Sequence, residues 1–228
     1  MKRIISLALV FVVLVLSLAS CFGEREVKDP IYVTIVKGDG SFALAHEAIS
    51  LSDADGDGKL TLDDVLYLAH EEAYEGGAAA GYGSEVGGYG LSLTKLWGVA
   101  NGSGYGYYIN NASAMSLEDA VKVEDHVVAF IYQDTVTWSD TYAYFDASAK
   151  SLGKGESVTL SLSAAGYGNP VVRKLAGAVI TVNGEASSYS TDAEGKVTLS
   201  FDKKGTYTVS ARSSDLTLVP PVCIVEVK

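Results

Sequence analysis

Cysteine is almost missing from this chain, which has only Cys21 and Cys223 among its 228 residues. That excludes a disulfide framework and a thiolate metal knuckle, both of which need clustered pairs. Histidine is nearly as scarce: His46, His70 and His126 stand far apart, with no His-x-x-x-His pair for zinc. No Gly-x-Ser-x-Gly elbow occurs, and the glycine-rich stretches lack the Lys-Ser/Thr of a phosphate loop. Basic residues are outnumbered, 17 against 28 acidic, for a formal net charge of −11. Such a chain has no basic patch with which to neutralise phosphates, so nucleic acid is excluded as a partner. Composition leaves open a pair of carboxylates assembled in space, as in glycosidases. No motif points to one, and the expectation is that this is not an enzyme.

The N-terminus carries an address. Lys2 and Arg3 precede an almost unbroken apolar run from Ile4 to Ala19, short of the roughly 20 residues a membrane span needs. Leu18-Ala19-Ser20-Cys21 resembles the bacterial lipobox, in which small residues precede a cysteine that is lipidated before cleavage. The resemblance implies a lipoprotein signal peptide over 1–20, a lipid on Cys21 and a charged tether over 21–30. It places the protein on the extracytoplasmic side of a bacterial cell membrane, partnered with the bilayer through that lipid. Loss of Lys2 and Arg3 takes the net charge from −11 to −13, so the acyl chains alone should hold an acidic domain at the membrane. Cys223, in the apolar run Val222-Cys223-Ile224-Val225, is left without a disulfide partner and reads as a small buried hydrophobe.

The densest local signal is Asp53-Ala-Asp-Gly-Asp-Gly-Lys-Leu-Thr-Leu-Asp-Asp64. With Asp53 as position 1, side-chain oxygens fall at 1, 3, 5, 9 and 12, from Asp53, Asp55, Asp57, Thr61 and Asp64. Lys59 offers a carbonyl at 7, and Gly58 supplies the sharp turn at 6. A hard divalent cation, Ca2+, suits such a cage. Position 12 is Asp64 rather than the Glu of a standard EF-hand, a variant shared with dockerin modules, so the expected affinity is roughly 10⁻⁴ to 10⁻³ M. Dockerins carry two such loops and only one is found here, which weakens a reading as a cohesin-binding element. The plainer reading is a turn leading into a helix capped by Thr61 and Asp64. It does not account for three carboxylates at period two, which repel one another without a cation.

Around the loop, Ile31 to Val36 reads as a strand, and Phe42 to Leu51 as a strand or a short helix. Leu62, Val65, Leu66, Ala69 and Ala73 recur at helical spacing, and Gly76-Gly77 should end that helix. Strand signals follow at Leu91 to Trp97, Tyr107 to Asn111 and Val127 to Tyr132. Leu96-Trp97-Gly98, Gly106-Tyr-Tyr-Ile-Asn110 and Val123-Glu-Asp-His-Val-Val128 resemble the transcobalamin-like C-terminal domain of bacterial surface proteins. That resemblance implies a β-grasp fold over 31–138 and, from vitamin-carrier relatives, a corrinoid ligand. Gly106 departs from it, since an aromatic often stands there. Trp97, Tyr105, Tyr107, Tyr108 and Asn110 are the candidate ligand-binding residues. Tyrosine offers a flat apolar face with a hydroxyl, and glycine allows close backbone approach. Such a platform suits a glycan, a corrinoid or a surface-protein ligand, whereas rings buried by strand alternation would merely fill a core.

Beyond residue 138 the character changes. Val158 to Leu162, Ala178 to Val182, Lys196 to Phe201 and Thr206 to Ala211 are short strand-like runs separated by turns at Asn183-Gly184 and Asp192 to Gly195. The segment Thr191 to Ala211 resembles bacterial Ig-like and prealbumin-like modules, implying a β-sandwich over 139–228 that serves as a spacer or an adhesive unit. The expected fold is therefore mainly β with one helix, a β-grasp-like α+β domain followed by an Ig-like β-sandwich. The expected function is that of a lipid-anchored calcium-binding surface module for ligands or adhesion, with a purely structural spacer as the alternative.

Overall fold

The computed structural model describes residues 27–88, 90–166 and 171–228. The expected signal peptide over 1–20, Cys21 and the first residues of the expected tether lie outside them.

The first half is built on β1 (Pro30–Val36), β2 (Phe42–Ser50), α1 (Leu62–Ala73), α2 (Gly77–Gly81), β3 (Gly83–Gly87), β4 (Gly90–Lys95), β5 (Tyr105–Ile109), β6 (Ala112–Ser113) and β7 (His126–Ile131). Alternation along β1 places Ile31, Val33 and Ile35 under α1, where they meet Leu62, Val65, Leu66 and Ala69 in one core. The sheet order is β2-β1-β7-β5-β6, and its central pair β1/β7 is parallel while the others are antiparallel. An N-terminal hairpin, a helix across one face and a parallel central pair make this half β-grasp-like. The ambiguous stretch from Phe42 is a strand, because its apolar residues are needed as the edge partner of β1. β3 and β4 form a separate two-stranded sheet.

The helix content exceeds the single helix expected. Gly76, with φ +87, turns the chain out of α1, and the Ala78-Ala79-Ala80 run forms the short α2. Gly81 closes it against Tyr74 and His70, where a side chain would collide with both rings. α1 is capped as its sequence predicts: Thr61 N–H donates to Asp64 Oδ2 at 2.9 Å, and Asp64 N–H returns to Thr61 Oγ1 at 3.4 Å.

The second half comprises β8 (Thr141–Phe145), β9 (Ala149–Leu152), β10 (Ser157–Gly166), β11 (Arg173–Lys174), β12 (Val179–Val182), β13 (Glu185–Ser190), β14 (Lys196–Ser200), β15 (Gly205–Arg212), β16 (Leu218–Val219) and β17 (Cys223–Val227). One sheet runs β11-β10-β8-β16 with β14 also on β10, and the other runs β13-β12-β15-β17-β9. Leu160, Leu162, Ile180, Leu199, Val209 and Val225 fill the space between them, which makes this half an Ig-like β-sandwich. Asn183 and Gly184, at φ +52 and +85, form the two-residue hairpin turn between β12 and β13 that their sequence predicts. Cys223 is fully buried in this core, and burial pushes its thiol up to about 12. It is a packing residue with no thiolate to offer.

A third apolar cluster joins the halves. Val36, Val128 and Phe130 from the first sheet, with Tyr132 just after β7, pack with Tyr142 and Val219. Tyr108 lies flat on Tyr142, centroids 3.6 Å apart, and the Tyr142 hydroxyl donates to Asn111 Oδ1. Trp138, at the expected domain boundary, packs edge-on against Tyr132 in the same cluster. Gly106, the departure from the transcobalamin-like pattern, sits opposite Phe130 on β7, whose ring covers the glycine so closely that no β-carbon fits.

Candidate functional site

The acidic loop runs from the end of β2 to the cap of α1, so its two ends are fixed by the sheet and by the helix. It folds on its own carboxylates. Asp53 accepts Gly56 N–H at 2.7 Å and Gly58 N–H at 2.8 Å, while Asp55 accepts Asp57 N–H and Asp57 accepts Lys59 N–H. Gly56 and Gly58 take φ +79 and +84, with nothing around them, as the tight winding requires. Oxygens of Asp53, Asp55 and Asp57 converge within 4.8 Å of one another on an exposed surface. The Gly58 N–H, above all, lowers the pKa of Asp53. Asp55 is lowered by the Asp57 N–H, yet desolvation and the charges of Asp57 and Asp64 leave it raised overall, the mark of crowded carboxylates.

Asp64, Thr61 and Lys59 stand differently. Asp64 is buried, its Oδ1 accepting Ala54 N–H at 2.7 Å and its Oδ2 accepting both the N–H and the hydroxyl of Thr61. A carboxylate has about four lone-pair sites, so this one has room for a single further bond, on Oδ1. The Lys59 ammonium lies 3.3 Å from Asp57 Oδ2. The cap and the carboxylate cluster therefore coexist, and Asp64 ties one to the other.

The candidate ligand platform is divided between the two faces of its sheet. Tyr105, Tyr107 and Ile109 point under the helix into the first core, whereas Tyr108 points the other way into the cluster between the halves. Tyr105 shares its one hydroxyl proton between the carbonyls of Thr94 and Val99 and accepts Asn101 N–H, as a structural hydroxyl would. Trp97, at φ +49, packs on His70 and Tyr74, and its N–H donates to His70 Nε2 at 2.9 Å. Asn110 makes a turn with Asn111, accepts His126 N–H and donates to Asp125. Of the five residues, Asn110 lines a space of about 210 Å³ between the halves, which Thr34, His126, Tyr142 and Asp146 also line.

His126, on the wall of that cavity, belongs to a pair that the sequence does not advertise. His46 and His126 meet edge to face with centroids 4.7 Å apart, and Tyr32 stacks on His46 at 4.4 Å. Burial lowers both imidazoles, His46 to about 4 and His126 to about 3, the latter also through its neighbour's charge. Nothing in spacing reveals this pair. The sequence offers only a strand-or-helix stretch around His46 and a strand signal that begins one residue after His126, and pairing of β1 with β2 and β7 brings the rings together.

No protein-family model matches the chain. No curated protein matches it either. Among solved structures, the N-terminal four Ig domains of a Dscam1 isoform align at 13% identity over 64% of this chain, with a TM-score of 0.28. The chain spans 32% of that structure's length. Tandem Ig repeats of Dlar align at 14% identity over 64% of this chain and 75% of theirs, with a TM-score of 0.27. Domains 4 and 5 of the S-layer protein SbsC align at 16% identity over 60% of this chain and 83% of theirs, also at 0.27. Similarities this low do not place the chain in any of those families.

Proposed function

We propose that this is a lipid-anchored extracytoplasmic surface protein, a calcium-stabilised module for ligand binding or adhesion. The observation that carries the calcium reading is the convergence of Asp53, Asp55 and Asp57 within 4.8 Å on a loop wound by Gly56 and Gly58. With Lys59 supplying a carbonyl, Thr61 a hydroxyl or a bridging water and Asp64 one oxygen, the donor set is all oxygen, as Ca2+ prefers. The ion would hold the first turn of α1 to the end of β2. Because the unfolded loop cannot hold it, binding stabilises the fold, by about 2.7 kcal/mol at 100 times the dissociation constant.

Millimolar Ca2+ should therefore raise the melting temperature, and Mg2+ should do so far less. The double variant Asp53→Ala/Asp55→Ala should keep its fold and lose the rise. Absence of a calorimetric calcium signal, together with an unchanged melting temperature, would reduce the loop to a capped turn.

The anchor is proposed from the lipobox alone. Labelled fatty acid should enter the wild-type protein and not Cys21→Ser, which should leave the membrane fraction or persist there as uncleaved precursor. Acyl label on Cys21→Ser would refute the anchor without touching the calcium reading.

A further inference from the structure

His46 sits where a histidine is costly to place. Between the pairs Val33–Glu47 and Ile35–Leu44, Ala45 and His46 stand opposite the single residue Thr34. This is a β-bulge, and His46 occupies its left-handed position at φ +59, ordinarily a glycine site. Bulges re-aim side chains, and this one directs the His46 ring across β1 onto His126 of β7. Thr34, fully buried on β1 between them, secures both: its Oγ1 accepts His46 N–H at 3.1 Å and bonds His126 Nε2 at 2.9 Å. Tyr32, in register with His126, lies flat on His46 at an interplanar angle of 7°. Three adjacent strands thus hold two imidazoles side by side. Yet among the described residues only one of their four ring nitrogens, Nε2 of His126, has a hydrogen-bond partner, and Nδ1 of His46 is buried with none.

Backbone strain combined with unused nitrogens is not what a packing pair needs. We propose that His46 and His126 together bind a late first-row divalent transition-metal ion (Cu2+, Ni2+ or Zn2+), independently of the acidic loop. Two imidazoles sharing one ion at about 2.0–2.1 Å have centroids about 4.5–5.3 Å apart for N–metal–N angles between a right angle and the tetrahedral one. The observed 4.7 Å lies in that range. Neutral imidazole is the preferred ligand of these ions, and burial keeps both rings neutral at pH 7. Thr34 acts as a positioning residue, its hydroxyl fixing the orientation of the His126 ring through Nε2. Water in the adjoining cavity, which Thr34 and His126 both line, completes the coordination.

The test uses the untagged full chain in detergent, with Ca2+ in excess so that the acidic loop is already supplied. Titration with Cu2+ followed by electron paramagnetic resonance should show one ion per chain with hyperfine coupling to two imidazole nitrogens. His70 cannot supply that signal, because it is fully buried and both its nitrogens are bonded, to Leu66 and Trp97. Zn2+ should compete. His46→Gln and His126→Gln should each weaken binding by about tenfold or more, no less than the loss of a hydrogen-bond partner that only orients a ligand. Thr34→Val should weaken it less, and Asp53→Ala/Asp55→Ala should leave it unchanged. A wild-type spectrum without imidazole coupling would overturn the site, and that spectrum decides the matter even if a histidine variant fails to fold. Undiminished uptake by folded His46→Gln and His126→Gln, with loss in the aspartate variant, would also overturn it and assign the ion to the acidic loop.

Discussion

In the presence of chelator, acidification from pH 6.5 to pH 5 should destabilise the protein by about 1.4 kcal/mol per pH unit for each buried histidine that stays neutral. His70 is the firmest case. It is fully buried, Nε2 accepts the Trp97 N–H, and Nδ1 lies 2.6 Å from the Leu66 carbonyl, so the neutral tautomer already uses both nitrogens. Burial lowers its pKa; the bond to the Leu66 carbonyl works against this and the Lys95 charge adds to it, and the net direction is down. The sign follows from proton counting. Below the unfolded value near 6.5 the unfolded chain takes up a proton that the folded one refuses, so stability falls with pH until the folded pKa is reached. For His46 that window extends to about 4, and for His126 to about 3. One such histidine in a chain of this size lowers the melting temperature by about 3–6 °C per pH unit, and the other two add in the same direction. His126→Gln should flatten the slope. A melting temperature constant between pH 7 and pH 5 would show that these rings titrate normally.

Phe130→Ala should be the most damaging single truncation at the junction, costing about 3–5 kcal/mol. The ring is buried to 1% exposure, covers Gly106 on one side and meets Tyr132 and Tyr142 on others. Removing it opens a cavity in the cluster through which the two halves touch. Calorimetry of the wild type should show one transition, because Tyr108 and Tyr142 must separate before either half unfolds alone. In Phe130→Ala the melting temperature should fall by about 6–20 °C, and the peak should split into two as the halves uncouple. Fragments cut between Trp138 and Tyr142 should each keep strand-rich circular dichroism, since each half has its own core. Two peaks in the wild type, unmoved by Phe130→Ala, would mean that the junction contributes nothing to stability.

Much of the local structure is readable because it is made by residues close together in the chain. The Thr61–Asp64 cap, the turn of the loop at Gly58, and the Asn183-Gly184 hairpin each depend on bonds or dihedrals spanning a few residues. The alternation of Ile31, Val33 and Ile35 and the short strands of the second half likewise follow from period-two burial. The extra helix was hidden because glycine at 76 and 77 signals a stop, not a stop followed by a new turn. Beyond short range the sequence is silent. Strand alternation separates Tyr105 and Tyr107 from Tyr108, but only the pairing of β5 with β7 puts the first two under the helix and the third onto Tyr142. The sequence shows His46 and His126 as isolated residues, and only the order β2-β1-β7, with a bulge opposite Thr34, makes them neighbours. Strand order and register are set by the summed burial of whole faces, a quantity that no short stretch of chain contains.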